Sequence, residues 1–425
     1  MSAQLLALIV AAIFALILHS TTGTWAHPAS LFAGAWTIFL AAAIILLPDA
    51  NPFGGAAWII VGLIVMVGAS APLSIPKDKI CPSVVNSGKL LTVFVLFGSA
   101  SSVLSALITQ RANGVTLSDT LSLEAITSAS RSISVIRYDG TMTTPAAATI
   151  LLAMTYGAAF AAPFAAQRHR KLKKFLVLCG PAMGGAAYAL LTTARAGLLI
   201  AVAITMGSWL VVRAVTHGGR PSIPASTLFG LGTAAAGVAI MFVFVAASRA
   251  GGIDKASASG LLETVGLYAG GSIPAFNEWI PYAPGPKLGA QTYAGVAQFV
   301  LGDNTLGSAY TSFTNIGSNV STNVYTALRP LSEDFTVPGM FAFVALAGFF
   351  AAHQYRRAVL NRSVFSAIAC STWLGFVLFS QTTSIYSFTN VTAGVVFAAF
   401  LILRSVTFSP ASARDSELKS IKTIA

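Results

Sequence analysis

The chain has 425 residues, 55% of them hydrophobic and only 9% charged, and carries a formal net charge of +12. Soluble domains carry about 25% charged residues, so the composition excludes one. Apolar runs of about 18 to 22 residues recur along the whole length, which reads as an all-α polytopic membrane protein.

Eleven membrane helices are expected, over 2–18, 29–47, 56–73, 90–109, 145–166, 175–192, 196–214, 227–246, 337–352, 365–381 and 389–405. The first run has no basic flank and no small-x-small cleavage site after it, so it reads as a retained helix. Lysine and arginine orient the set. Segments placed inside (19–28, 74–89, 167–174, 213–226, 353–364 and the tail from 404) hold 17 basic and 3 acidic residues. Segments placed outside (48–55, 110–144, 193–195 and 247–336) hold 8 basic and 10 acidic residues. The QRHRKLKK run at 167–174 is the firmest marker of the inner face. The N-terminus then lies outside and the C-terminus inside. The positive charge is a topology signal and a contact with anionic membrane lipids, and gives no reason to expect nucleic acid.

This reading gives one transmembrane domain over 1–408, with outer segments 110–144 and 247–336, and a polar, disordered cytoplasmic tail over 409–425. Both outer segments are longer than connections need to be. The first suits a short amphipathic helix on the membrane surface, with Leu117, Leu121 and Leu123 beside Asp119 and Glu124. Within the second, one helix is expected over Lys287–Gly302. Cys81, Cys179 and Cys370 show no metal spacing, and neither a metal nor another cofactor is expected.

Asn319–Gly339, reading NVSTNVYTALRPLSEDFTVPG, closes the larger outer segment and runs into an apolar helix. It packs Arg329, Glu333 and Asp334 into six positions. Charge is costly near a membrane, so such a cluster is a candidate site; the plainer reading is a helix entry capped by acids and anchored by a cation. The same segment holds many aromatics, Trp279, Tyr282 and Tyr325 among them, interleaved with amides such as Asn323. Sugar faces stack on rings while amides read hydroxyls, so the mixture suits a carbohydrate; an interfacial aromatic belt is the alternative. Arg195, in LTTARAGLL, and Arg329 both sit near helix N-termini on the outer side. Free N–H groups, the helix dipole and a guanidinium fork together suit a diphosphate, with Arg249 a further candidate. The acids Asp334, Glu333 and Glu278 are candidates for a general base.

The block TNVYTALRPLSEDF, followed by Gly339 and an apolar helix, resembles the end of the large periplasmic loop in bacterial oligosaccharide repeat-unit polymerases, the O-antigen polymerase family. The matching positions are Asn323, Val324, Tyr325, Thr326, Arg329, Pro330, Asp334, Phe335 and Gly339. TTARAGLL is similar to a turn seen in these polymerases and in O-antigen ligases. Arg249, with Gly260 eleven positions on, fits an Arg-x10-Gly spacing described for some members. Members often carry glycine soon after the D-F pair, where this chain has Thr336, Val337 and Pro338. The resemblance implies a GT-C-like glycosyltransferase fold in the bacterial inner membrane. It also implies transfer of a growing glycan from undecaprenyl diphosphate to the next carrier-linked repeat unit, and it leaves room for a chain-length regulator protein as a partner.

Two alternatives stay open. A ligase moving glycan to a lipid acceptor typically uses a histidine in its large outer loop, whereas His19, His27, His169, His217 and His353 all fall on or near inner segments here. A transporter normally buries ionisable residues at mid-membrane, and most of these helices contain none.

Overall fold

The computed structural model describes residues 2–76, 82–115, 128–129, 132–133, 135–136, 141–219, 221, 265–282, 286–301, 313–317 and 320–410. Among them lie twelve named α-helices: α1 (Ala3–Thr22), α2 (Pro28–Leu46), α3 (Gly54–Gly68), α4 (Lys89–Ala112), α5 (Ala146–Ala166), α6 (Lys171–Thr192), α7 (Arg195–Thr216), α8 (Ser272–Trp279), α9 (Ala294–Leu301), α10 (Leu328–Leu360), α11 (Val364–Phe379) and α12 (Thr389–Ser405). Seven are long and apolar enough to cross a membrane, and α3, α11 and α12 are shorter apolar helices. The chain is a multi-pass, predominantly helical membrane protein. Ten of the eleven expected helices are present; the other, 227–246, lies outside the described residues, as does most of 110–144.

Local chemistry sets the helix ends. Ser2 Oγ accepts from the Leu5 amide, and Gly23 ends α1 in the left-handed region with φ 71°. Pro28 opens α2, whose first free amide, Ala29 N–H, donates to His27 Nδ1 at 3.3 Å. Ser363 Oγ accepts from Ser366 N–H at the start of α11.

Two helical groups form the body. The first contains α1, α2, α3 and α10; the second contains α4, α5, α6 and α12; α7 and α11 pack together between them. Small residues allow the close crossings, as membrane helices require. A side chain on Gly394 of α12 would collide with the Ala153 carbonyl of α5, and one on Gly207 of α7 would meet the Gly375 backbone of α11.

The connections gather at two ends. At the cap end, 48–53, 193–194, the described parts of 265–327 and 380–388 come together. Asn51 N–H donates to Ile316 O, Ala327 N–H to Ser380 O, and Ser384 Oγ to Thr292 O. A small antiparallel sheet, β2 (Thr314–Gly317) with β3 (Val320–Thr322), sits there. At the opposite end β1 (Ser83–Ser87) pairs antiparallel with β4 (Val406–Pro410). The described parts of the segments assigned to the outside and to the inside by charge thus separate onto different ends.

Three expectations need correcting. The tail is not wholly irregular from Ser409, because Ser409 and Pro410 finish β4; residues 411–425 lie outside the described set. The helix expected over Lys287–Gly302 begins only at Ala294. Leu288 and Gly289 adopt positive φ (50° and 91°) and turn the chain first. Finally, α10 starts at Leu328 rather than Val337, and it is two helical pieces. Thr336, at φ 64° and ψ 170°, breaks it, and Pro338 opens the apolar piece.

Candidate functional site

A cavity of about 520 Å³ opens at the cap end. Its wall comes from α5, the α6–α7 turn with the start of α7, Tyr268, α9, the loop before α10, and the α11–α12 connection with the adjoining ends of both helices.

The α6–α7 turn is only Thr193 and Ala194. Thr193 takes a left-handed conformation (φ 57°), unusual for a β-branched residue. The carbonyls freed at the end of α6 find partners nearby. Thr192 Oγ1 donates to Tyr188 O at 2.7 Å, and Gln110 Nε2 donates to Leu191 O at 2.8 Å. The turn delivers Arg195 as the first residue of α7, with no side-chain cap in front of it. Arg195 is 6% exposed and lines the cavity, its guanidinium 5.1 Å from the centre of the Tyr268 ring. Tyr268 is held from behind, because Gln381 Nε2 donates to the carbonyls of Tyr268 and Ala269.

The remaining wall is rich in hydroxyls and amides. Asn323, Tyr325 and Gln298 face it from one side, and Thr382, Ser387 and Asn390 from the other. Among the described residues lining it, Arg195 is the one ionisable cation and no carboxylate is present.

The structure divides the candidate residues sharply. Arg195, Asn323 and Tyr325 meet at the cavity. Arg329 does not line it but stands behind it. Its guanidinium lies 4.0 Å from the centre of the Tyr325 ring and 5.0 Å from that of Trp279, and its Nε donates to Glu333 Oε1 at 2.9 Å. Lys287 Nζ reaches the other oxygen of Glu333 at 3.6 Å. Tyr325 is fixed at its far end too, sharing a hydrogen bond with Thr314 of β2. Arg329 therefore stacks on a cavity wall rather than pointing into the space.

The acids are likewise occupied elsewhere. Asp334 is fully buried, and its two carboxylate oxygens accept the backbone amides of Gln291 (2.9 Å) and Thr292 (2.6 Å). The Lys287 and Leu288 amides donate to the Glu333 and Asp334 carbonyls. Asp334 thus clamps the turn before α9, and Glu333 bridges Arg329 and Lys287. Glu278 accepts from Asn51 at 3.4 Å on a different side of the cap. Its neighbour Asn277 caps α3, accepting from the Ala56 amide. Trp279 is packed between Phe276 and Arg329, and Tyr282 is 80% exposed, so neither reaches the cavity. Arg249 lies outside the described residues.

Burial pushes the Tyr293 hydroxyl above its ordinary pKa, with Asp334 adding to the shift. Histidines are remote from this site. His169 pairs with Thr92, His217 with Thr216, and His27 packs edge-on to Tyr355, all toward the opposite end.

Sequence reasoning missed the α11–α12 connection. Seven of the ten residues from Gln381 to Asn390 are Gln, Thr, Ser or Asn, and that density between two apolar helices was the available signal. It carries no charge, unlike the block Asn319–Gly339. Comparison with protein families, with curated proteins and with solved structures gave no match to this chain.

Proposed function

We propose that the protein is a glycosyltransferase of the repeat-unit polymerase kind, acting on undecaprenyl-diphosphate-linked oligosaccharides at the cap end. In this reading the cap faces the periplasm and the other end the cytoplasm of a bacterial inner membrane. The observation that carries it is Arg195, a buried cation at a helix N-terminus in a cavity otherwise walled by hydroxyls, amides and aromatic rings. Such a wall suits sugar hydroxyls and ring faces, and the arginine suits the diphosphate that joins sugar to lipid.

In the transfer, an acceptor hydroxyl oxygen bonds to the anomeric carbon of the donor glycan. The bond from that carbon to the diphosphate oxygen breaks, the diphosphate keeps the electron pair, and the hydroxyl proton passes to solvent water. Arg195 offsets the charge growing on the leaving diphosphate. Tyr325 and Asn323 orient the sugar, with Arg329 holding the Tyr325 ring. The proposal assigns no base among the described residues, because Asp334, Glu333 and Glu278 all have other partners.

The test is polymerisation of lipid-linked repeat units by purified protein. Wild type is expected to build long glycans, and Arg195→Ala to lose roughly a hundredfold in rate with its melting temperature retained. A wild type that builds no glycan from any plausible repeat unit, yet carries intact substrate across a vesicle membrane, would overturn the reading in favour of a transporter.

A further inference from the structure

A second cavity, of about 310 Å³, lies between α10 and α11 and differs in character from the first. Phe343, Ala347 and Phe350 line it from α10, and Thr372, Trp373 and Phe376 from α11. Tyr293 and Tyr386 line its cap-side end, their rings stacked at 5.9 Å. Tyr386 is fixed in turn by its hydroxyl, which donates to Thr372 O at 3.0 Å. At the other side the wall reaches the surface of the apolar helices. Phe350 is half exposed, and Leu346, Phe349 and Phe365 are exposed around it. The mouth therefore opens on the face that meets bilayer hydrocarbon.

We infer that this aromatic cleft holds the hydrocarbon chain of the polyprenyl-diphosphate-linked substrate whose diphosphate is bound at Arg195. The inference rests on the function proposed above. Three observations fix the occupant. First, the lining is aromatic and the mouth is in the membrane layer, so the cleft suits a chain delivered sideways from the bilayer. Second, the lining is graded: Thr292, Tyr293 and Tyr386 bring hydroxyl-bearing side chains to the cap-side end, whereas Phe343, Ala347, Phe350 and Phe376 make the rest apolar. That grading suits an amphiphile whose polar end lies toward the cap. Third, the cleft and the polar cavity share one wall. Thr292 and Tyr293 roof the cleft, while Gln298, a few residues on, lines the polar cavity. In the same way Tyr386 lines the cleft, and Ser387 to Asn390 line the cavity. An amphiphile with its head on one side of this wall and its chain on the other uses both spaces. The Asp334 carboxylate holds the amides of Gln291 and Thr292, so the wall is braced.

The test uses full-length protein in nanodiscs of phosphatidylethanolamine and phosphatidylglycerol. The probe is polyprenyl diphosphate without sugar, carrying a diazirine in mid-chain, and adducts are mapped after irradiation. The expected adducts fall on the peptides holding Phe343–Phe350 and Ala369–Phe376. Unlabelled polyprenyl diphosphate should compete them away, and excess phosphatidylglycerol should not. Ala347→Trp, which fills the cleft, should cut the yield at least tenfold, and Ala369→Leu serves the same purpose should the tryptophan variant not fold. Adducts confined to other helices, equal competition by phosphatidylglycerol, or an unchanged yield in a folded cleft-filling variant would overturn the inference. Glycan polymerisation is scored separately. Cleft labelling without polymerisation by wild type sinks the polymerase reading and leaves the lipid site standing.

Discussion

At the cap end Arg329, Glu333 and Asp334 are buried and bound to one another, to aromatic rings or to backbone amides, whereas at the opposite end Lys89, Arg168, Arg170, Lys173, Arg357 and Arg404 are exposed. Removing a buried charge from its partners is costly, while exposed charges interact weakly with anything but their surroundings. The cap therefore uses its charges as scaffold, and they brace the two cavities. At the opposite end these six charges face outward, where lipid headgroups or solvent meet them. A charge cluster in the sequence thus marks structure at one end and environment at the other, and the cation facing the polar cavity is Arg195, away from that cluster in the sequence.

The sharpest way to break this contrast is Asp334→Ala. Two charge-assisted hydrogen bonds would go, and two buried amides would lose their partner. The expected loss is about 4 kcal/mol, read as a lower midpoint of unfolding. A general base removed by the same change would abolish turnover and leave the midpoint in place, so the two outcomes separate the scaffold role from the catalytic one.

Polar burial is not confined to the cap, and His27 sharpens the comparison. It lies in the turn before α2, fully buried, and burial pushes its imidazole from 6.5 down to about 4. The folded state therefore binds this proton less readily than the unfolded chain. Stability is full above pH 6.5 and falls as the pH drops toward 4, by on the order of 3 kcal/mol. His27→Asn keeps an acceptor for the Ala29 amide and removes the titration. The difference between the pH–melting curves of wild type and variant should appear within that window; parallel curves would contradict it.

Much of the fold was legible because hydrocarbon length and loop charge are written in composition. Ten apolar runs became helices, and the charge-sorted segments separated onto two ends. The block before α10 was legible as important but not in its role. Arg329 and Asp334 looked like ligands because a sequence shows charge without partners. The partners, Trp279 some fifty residues earlier and the Gln291 and Thr292 amides, come together only through the fold. Arg195 was legible as a cation at a helix start, but its neighbours Gln298 and Asn390 come from distant elements. The break at Thr336 was hidden for another reason. Threonine gives no warning of positive φ, although the resemblance led one to expect glycine close by.

That position gives a smaller and opposite effect. Thr336 sits at φ 64° and ψ 170°, a region that glycine enters freely and other residues enter at a cost of order 1–3 kcal/mol. Phe335 beside it stacks on Phe343 at 5.2 Å, and Asp334 holds the turn before α9, so the strain is held in place from both sides. Thr336→Gly should raise stability by about 1 kcal/mol, seen as a higher melting temperature. A fall would mean that the threonine side chain contributes more than the backbone strain costs.

The smallest effect is expected where the charges face outward. Lys173 is exposed on α6, and Lys174 Nζ donates to Gln167 Oε1 at 3.4 Å. Replacing both with alanine removes no buried partner and leaves no cavity, so stability in neutral detergent should change by less than about 0.5 kcal/mol. The same double change should matter in a bilayer, because a basic residue near an anionic surface contributes about 1 kcal/mol of attraction. Melting the pair in neutral and in anionic nanodiscs separates the two. A stabilisation by anionic lipid that shrinks in the variant assigns these lysines to headgroups. A large loss in neutral detergent would instead show that this end, like the cap, uses its charges to hold itself together.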